Sequence, residues 1–237
     1  MPVPNDFCLA LSSGALSYGI RLDDGALSLF ERYTDLLSLW NRNMNLVSRR
    51  DMERFVEYHL LDSLKVSSCV DFSSMETLMD FGSGAGFPGI PLTIAYPHLK
   101  MLLVDSMAKR VHFLSQVVAG LPLPLVSVIR SRVEDLPSFL NVSFDIVITR
   151  ATVSLYQFFL FTARFIRPDG MLVSIKGEHI ERELHELQNY LDSRLFNITV
   201  TKPPVVDKVR TGYVVIITKK QVVNKTLYFN GYSYHYV

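Results

Sequence analysis

Residues 77–89, which read TLMDFGSGAGFPG, decide the fold predicted for this chain. A short apolar run ends in a carboxylate at Asp80, glycines follow at Gly82, Gly84 and Gly86, and an apolar segment then resumes. This order predicts a β-strand, a tight turn and the start of a helix. Glycine lets the backbone approach a ligand closely, and the free N–H groups of the following helix point toward the same place. The stretch therefore predicts a ligand-binding loop at the end of a strand.

Two classes of cofactor fit this loop, and a glycine-rich turn without a ligand is the third alternative. Gly84, Gly86 and Gly89 match the G-x-G-x-x-G spacing of a dinucleotide loop, but the register that starts at Gly82 does not. The carboxylate of Asp80 would repel a phosphate and attract the amino group or the sulfonium of S-adenosylmethionine (AdoMet). A strand-end carboxylate followed by Gly-x-Gly-x-Gly is typical of AdoMet sites. We therefore predict that Asp80, Gly82, Gly84 and Gly86 bind AdoMet.

The composition limits the kind of protein. The chain has 237 residues, of which 49% are hydrophobic, so it can form one sizeable packed domain. Its formal net charge is +1, so a surface that binds nucleic acid would need an uneven distribution of charge. Cys8 and Cys69 are too few for a disulfide framework, and no metal site is expected. The sequence shows neither a signal peptide nor a membrane span, which favours a cytoplasmic protein.

Hydrophobic spacing divides the chain into three parts. Residues 1–70 show the spacing of amphipathic helices and are predicted to form a helical N-terminal extension. Residues 71–220 alternate strand-like and helix-like segments, which predicts a doubly wound parallel α/β sheet with a turn at residues 168–170. Residues 221–237 are predicted to form a β-hairpin around Asn230-Gly231 that packs against the body of the protein.

Two acidic residues follow the second and third predicted strands, where ligands of such sheets bind. Asp105 is placed to accept hydrogen bonds from ribose hydroxyls, although a helix cap is the alternative role for this carboxylate. Glu134 is placed to face an adenine, beside the backbone amide of Val133, but a solvated acidic loop fits the same position. Both residues are predicted to contribute to the cofactor site.

Two cations follow the fourth and fifth predicted strands, at Arg150 and Lys176. An arginine suits a phosphate or a guanine edge, and it cannot act as a base near neutral pH. Two cations on adjacent strand ends favour an anionic substrate. His59 lies on a predicted helix, and we interpret it as bonded to the neighbouring domain in preference to a base or a metal ligand. A basic rim could extend from these cations through Lys109, Arg110, Arg130, Arg132, Lys208 and Arg210, although each alone is typical of a solvated surface.

Longer motifs make the chain resemble a known family. The sequence is similar to the bacterial 16S rRNA guanine-N7 methyltransferases, also called glucose-inhibited division protein B. The most specific shared motif is FPGIPL at residues 87–92, and the order of motifs is kept from about residue 10 to about residue 220. The matching segments are residues 40–46, 59–64, 80–92, 104–106, 109–110, 132–134, 149–151 and 176–177.

The resemblance implies a class I AdoMet-dependent methyltransferase fold with a helical N-terminal extension. It implies methylation of a guanine N7 in the 530 loop of 16S rRNA, with 16S rRNA or the 30S subunit as partner. DNA, a membrane and a stable oligomer are not expected. Because guanine N7 carries a free lone pair, Arg150 and Lys176 are expected to position the substrate without a general base. The AdoMet contacts implied by the resemblance are Gly82, Phe87, Val133, Glu134 and Arg150.

Three alternatives stay open on the sequence alone. The chain could be a small-molecule methyltransferase on the same fold, although the basic residues weigh against this. It could be a non-catalytic ribosome-assembly factor that keeps AdoMet binding. The tyrosines of the tail, at positions 228, 232, 234 and 236, could form an aromatic platform for RNA bases instead of packing against the body.

Overall fold

Seven strands form one sheet in a computed structural model that describes residues 6–150, 153–220, 227–229 and 232–234. The strands are β1 (Thr77–Phe81), β2 (Lys100–Asp105), β3 (Val126–Arg130), β4 (Phe144–Arg150), β5 (Ile166–Lys176), β6 (Phe196–Thr201) and β7 (Tyr213–Lys219). Their order across the sheet is β3-β2-β1-β4-β5-β7-β6. The carboxyl ends of β1 and β4 therefore meet near the middle of the sheet, where the glycine loop lies.

The prediction of a parallel sheet is wrong for the two pairings that β7 makes. Strands β1 to β5 pair in parallel, but β7 runs antiparallel to both β5 and β6. The connection at residues 202–212 contains no helix. A parallel pairing needs a long crossover, usually helical, whereas a short irregular connection returns the chain antiparallel.

The turn predicted at residues 168–170 is also wrong, because this segment lies inside β5. The pairing with β4 shifts between the pairs Phe144–Ile166 and Ile146–Met171. The extra residues on β5 form a bulge, which accommodates Pro168 within the strand. Turn-forming residues at this position therefore mark an irregularity of the strand.

The part of the chain that precedes β1 is helical where it has regular structure. The long helix begins after Asp23, whose carboxylate accepts the N–H of Ala26 at 2.7 Å, and ends at Asn45 in a left-handed conformation with φ of 49°. A π-helix at Val56–Leu61 interrupts the regular helices of this part. The elements are α1 (Phe7–Leu16), α2 (Asp24–Met44), α3 (Arg49–Met52), the π-helix (Val56–Leu61), α4 (Asp62–Leu64) and a 3-10 turn (Lys65–Ser68).

Helices cover both faces of the sheet. Leu78 and Met79, which are adjacent on β1, belong to different hydrophobic clusters, because side chains alternate between the faces of a strand. The helices that follow the strands are α5 (Gly89–Ala95), α6 (Ala108–Gly120), α7 (Leu155–Thr162) and α8 (Glu181–Tyr190). The N-terminal helices pack with α5 and α6 on the face of Leu78, and α7 and α8 cover the other face. The division at residue 70 stays a prediction.

Two short strands lie in the C-terminal tail. β8 (Leu227–Phe229) pairs antiparallel with β9 (Tyr232–Tyr234). The predicted turn at Asn230-Gly231 lies outside the described residues, and so does Tyr236. Packing of the tail against the body therefore stays a prediction. No helix within the described ranges is long and apolar enough to cross a membrane.

Candidate functional site

The glycine loop follows β1 and bonds to the neighbouring strand β2. The N–H of Gly82 donates to the carbonyl oxygen of Val104 at 2.9 Å, and the N–H of Gly84 donates to Oδ2 of Asp105 at 2.9 Å. Gly82, Gly84 and Gly86 have φ values of 72°, 59° and 99°, in the left-handed region that favours glycine. These three glycines are therefore required by the conformation of the loop.

The two sides of the loop differ in the space around them. A methyl group added to Gly84 would meet nothing closer than the carbonyl oxygen of Gly82, at 3.8 Å. At Gly86 the same addition would come within 2.7 Å of the side chain of Ile90. Behind Gly86, the hydroxyl of Tyr33 donates to the carbonyl oxygen of Ala85 at 2.6 Å. A ligand can therefore approach the backbone at Gly84, whereas Gly86 packs against α2 and α5.

Asp80 is fully buried beneath the loop. Its Oδ2 accepts the N–H of Gly89 at 3.0 Å, while its Oδ1 has no hydrogen-bond partner among the described residues. Burial raises the pKa of Asp80 to about 7, against the lowering effect of its hydrogen bonds and of Arg150. A buried carboxylate with one unpartnered oxygen suits a cationic ligand.

Gly89 has a packing role at the start of α5. A methyl group there would lie 2.4 Å from Cδ2 of Leu103 and 2.7 Å from Oδ2 of Asp80. The G-x-G-x-x-G spacing that ends at Gly89 therefore reflects close packing of the helix on the strand, and it does not by itself indicate a dinucleotide.

Asp105 connects the end of β2 to both the loop and α6. Its Oδ2 accepts from Gly84, its Oδ1 accepts the N–H of Met107 at 2.8 Å, and Nη1 of Arg110 lies 3.4 Å from Oδ2. The alternative role as a helix cap is wrong, because the N-cap of α6 is Met107 and no side chain caps this helix. A carboxylate has about four lone-pair sites, so these contacts leave room for a ribose hydroxyl. That role stays a prediction.

Val133 and Glu134 lie on one 3-10 turn, Val133–Asp135, that follows β3. Val133 is buried and Glu134 is exposed. Nη2 of Arg164 donates to the carbonyl oxygens of Val133, Glu134 and Leu136 at 3.2, 3.3 and 3.1 Å and so holds the turn in place. Sequence reasoning missed Arg164, because nothing near it in the chain marks this contact.

Arg150 extends from the end of β4 to the N-terminal helices. Its guanidinium donates to Oδ2 of Asp62 at 2.9 Å, to the carbonyl oxygen of Tyr58 at 3.2 Å and to Nδ1 of His59 at 2.9 Å. Its Cζ also lies 4.8 Å from the ring centre of Phe87 in the glycine loop. The N-terminal helices therefore orient a predicted site residue of the sheet, and Asp62 is a second residue that sequence reasoning missed.

His59 is a neutral, buried histidine on the π-helix. Burial and then the neighbouring charge of Arg150 lower its pKa to about 3. Its ring stacks on Phe87 with a centroid separation of 4.8 Å. The contact with Arg150 agrees with our interpretation of a histidine bonded to the neighbouring part of the chain. Among the residues that the structure describes, no group of three His, Cys, Asp or Glu side chains could hold a metal ion.

Lys176 lies one strand away from Arg150 and has different partners. Its Nζ donates to the carbonyl oxygen of Val153 at 2.5 Å and lies 2.8 Å from Oε2 of Glu183. Arg150 pairs with Ile175 in the β4–β5 register, so the two cations follow adjacent strands as predicted. The structure therefore ties Lys176 to α8, and a role in positioning the substrate stays a prediction.

The cations of the predicted rim lie in two groups at the carboxyl edge of the sheet. Tyr213, at the start of β7, pairs with Lys176 at the end of β5. The loop that precedes β7, residues 202–212, therefore lies at the carboxyl edge of β5. The glycine loop and Arg150 lie between the two groups in the strand order. All six side chains are exposed. Lys109 and Arg110 follow β2, Arg130 and Arg132 lie at and after the end of β3, and Lys208 and Arg210 precede β7.

A cleft of about 910 Å³ lies among α1, α2, α3 and the π-helix. Its lining includes Asn41, Arg42, Arg49 and Phe55. The ring of Phe55 also lies 5.9 Å from that of Phe87, so it is shared between the cleft and the packing of the loop. The predicted cofactor residues do not line this cleft.

Comparisons with known proteins agree with the motifs. The sequence profile of the GidB family, described as rRNA small subunit methyltransferase G, matches residues 26–202. Two proteins named Ribosomal RNA small subunit methyltransferase G are similar to this chain. That of Lachnoclostridium phytofermentans is 37% identical over 76% of this chain and 75% of its own length. That of Chlorobaculum tepidum is 37% identical over 71% of this chain and 76% of its own length.

A solved structure supports the fold. M. jannaschii TYW2 in complex with AdoMet has a TM-score of 0.50 at 19% identity, and the match covers 73% of this chain and 76% of that one. An identity this low concerns the fold alone, and it agrees with the class I methyltransferase fold predicted from the sequence. The resemblance drawn from the motifs is confirmed by the profile and by both relatives. The chain belongs to the GidB family of rRNA small subunit methyltransferase G proteins.

Proposed function

We propose that this chain transfers a methyl group from AdoMet to N7 of a guanine in the 530 loop of 16S rRNA. The match to the family over residues 26–202 carries this proposal. The family match does not favour a small-molecule methyltransferase or a non-catalytic assembly factor. An enzyme of this kind works where ribosomal subunits are made, so we further propose the cytoplasm as its location and the 30S subunit as its partner.

The residues of the loop fit AdoMet. The unpartnered Oδ1 of Asp80 is buried where a cationic ligand would neutralise it, and the backbone at Gly84 is open to close approach. When bound, AdoMet supplies a methyl group activated by its sulfonium. We propose Asp80, Gly82, Gly84 and Gly86 for the methionine end, Asp105, Val133 and Glu134 for the adenosine end, and Phe87 and Arg150 beside the reacting group.

The chain's own contribution to the reaction is positioning. The N7 atom of guanine has a lone pair and loses no proton, so a general base has no task. Arg150 cannot be deprotonated, and His59 receives one of its N–H groups, which suits donors that orient a substrate. Asp62 and His59 hold the guanidinium in place before substrate arrives, so little freedom is lost on binding. The target base must leave its stack, because the A-form major groove is too narrow to enter.

Mass spectrometry of 16S rRNA tests the proposed function. A 7-methyl group on one guanine of the 530 loop should disappear from cells that lack this protein and return with the wild-type chain. Asp80→Asn, which removes the charge beneath the loop, should not restore it. AdoMet binding without methyl transfer to any form of 16S rRNA would instead support an assembly factor. Transfer only to a small acceptor would support the small-molecule alternative.

RNA binding should weaken steeply as the salt concentration rises. Exposed cations at the carboxyl edge would neutralise phosphates and release counterions, so log K should fall linearly with log salt. Replacing Lys109 or Arg132 by alanine should reduce the slope by about one for each phosphate that the variant no longer neutralises. Lys100→Ala is the matched control, because Lys100 is exposed at the opposite end of β2. A flat slope for the wild type, or an equal effect of Lys100→Ala, would contradict the basic rim.

A further inference from the structure

Arg164 lies between α7 and β5, and its guanidinium reaches the turn that follows β3. A single nitrogen, Nη2, donates to the carbonyl oxygens of Val133, Glu134 and Leu136 at 3.2, 3.3 and 3.1 Å. The Cζ atom of Arg164 also lies 4.4 Å from the ring centre of Phe165, which orients the guanidinium. Every hydrogen bond that this side chain donates to a described residue therefore goes to one turn.

The backbone of this turn has no other hydrogen bond to a distant part of the described chain. Its own bonds are local, and one of them joins the N–H of Leu136 to the carbonyl oxygen of Val133 at 3.2 Å. The side chains of these two residues are buried in the hydrophobic core, so they keep the turn in place without Arg164. Hydrophobic contacts are not directional, whereas the hydrogen bonds from Arg164 fix how the peptide groups are turned.

The turn presents opposite sides of one peptide group to Arg164 and to the cofactor site. The carbonyl of Val133 and the N–H of Glu134 belong to the same planar peptide group and point in opposite directions. Because Arg164 holds that carbonyl, the N–H of Glu134 points away from the guanidinium. This N–H has no acceptor among the described residues. Val133 and Glu134 are the residues proposed above for the adenosine end of AdoMet, so Arg164 fixes their backbone from the other side.

We propose that Arg164 is a positioning residue for the adenosine end of AdoMet. This inference rests on the proposed function. The guanidinium fixes the turn before the cofactor arrives, so less conformational freedom is lost when AdoMet binds. Arg164 acts only through the turn, so the methionine end and the RNA do not depend on it. Replacing Arg164 should therefore raise the KM for AdoMet roughly 10-fold and leave kcat and the KM for 16S rRNA near the wild-type values.

Two ligands that differ at the adenine test this assignment on the full chain. S-Adenosylhomocysteine carries the adenine, and S-ribosylhomocysteine has a hydroxyl in its place. The Kd of S-ribosylhomocysteine, measured by displacement, divided by the Kd of S-adenosylhomocysteine gives the contribution of the adenine. Arg164→Met keeps an apolar stem over Phe165 but removes the donors, and it should lower this ratio roughly 10-fold. Arg164→Lys keeps a charged donor without the planar fork, so its ratio should lie between the other two.

Arg167→Met is the matched control. Arg167 lies on β5 and pairs with the buried carboxylate of Asp145, so its replacement removes a cation from the same segment without touching the turn. The control should keep the wild-type ratio of Kd values and the wild-type KM for AdoMet. An equal fall of the ratio in Arg167→Met would overturn the inference, because general loosening of the segment would then explain both variants.

The remaining outcomes also decide the matter. If folded Arg164→Met keeps the wild-type ratio, even with weaker binding of both ligands, Arg164 does not position the adenosine end. Should Arg164→Met fail to fold, an unchanged ratio in Arg164→Lys would count against the inference in the same way. Failure of the wild type to bind S-adenosylhomocysteine or to methylate 16S rRNA would instead contradict the proposed function. Melting temperatures establish that each variant is folded.

Discussion

Asp80→Asn is expected to weaken AdoMet binding by roughly 100-fold and to make the ligand-free protein more stable at pH 8. The lost affinity follows from removing a charged hydrogen-bond acceptor beneath the loop. The gain in stability follows from the pKa of about 7, raised from 3.8 by burial. Between these two values the folded state binds more protons than the unfolded state, so the free energy of unfolding falls as the pH rises. A difference of about three pKa units corresponds to about 4 kcal/mol at most.

The variant should lack this pH dependence, because asparagine is uncharged and still accepts the N–H of Gly89. Chemical denaturation at pH 5 and pH 8 measures the stability, and calorimetry measures the AdoMet affinity. Asp71→Asn is the control, since Asp71 is exposed and the pKa of its carboxyl is lowered by Ser73, below this pH range. Unchanged AdoMet affinity in Asp80→Asn would contradict the cofactor site. A variant less stable than the wild type at pH 8 would contradict the buried charge.

Asp62→Ala is expected to destabilise the protein by about 3–5 kcal/mol, the usual cost of leaving a buried charge without its partner. Asp62 is 5% exposed, and its carboxylate accepts from Nζ of Lys65 at 2.6 Å and from Nη1 of Arg150 at 2.9 Å. Lys65 is itself only 3% exposed. Removing the carboxylate therefore leaves two cations close together in a largely buried place.

Urea denaturation of the wild type, Asp62→Ala and Asp62→Asn measures this effect. Asparagine retains an acceptor oxygen, so Asp62→Asn should fall between the other two. Asp192→Ala is the control, because Asp192 pairs with Arg194, whose side chain is 87% exposed, and surface pairs contribute little. If Asp62→Ala unfolds at the same urea concentration as the wild type, the Asp62 network does not stabilise the fold.

The sequence predicts the strand ends of the site well, because each signal is local. Asp80, Asp105 and Arg150 each close an apolar run of strand length, and the structure places all three at strand ends. The antiparallel direction of β7 was not predicted. The loop that precedes β7 contains no helix, and its sequence has no hydrophobic spacing from which the direction of the next strand could be read. Arg150 meets Asp62 and His59 across 88 and 91 residues of chain, so no local spacing reports these contacts.

The ionic contacts of the N-terminal helices have a consequence for synthesis of the chain. Nζ of Lys65 also donates to the carbonyl oxygen of Arg210 at 3.2 Å, a contact that spans 145 residues. The helices leave the ribosome first, yet the buried ammonium of Lys65 gains this acceptor only after residue 210 has emerged. We therefore expect the nascent N-terminal segment to wait in a loosely folded state. The final segment of the sheet would then fix these helices in place late in translation.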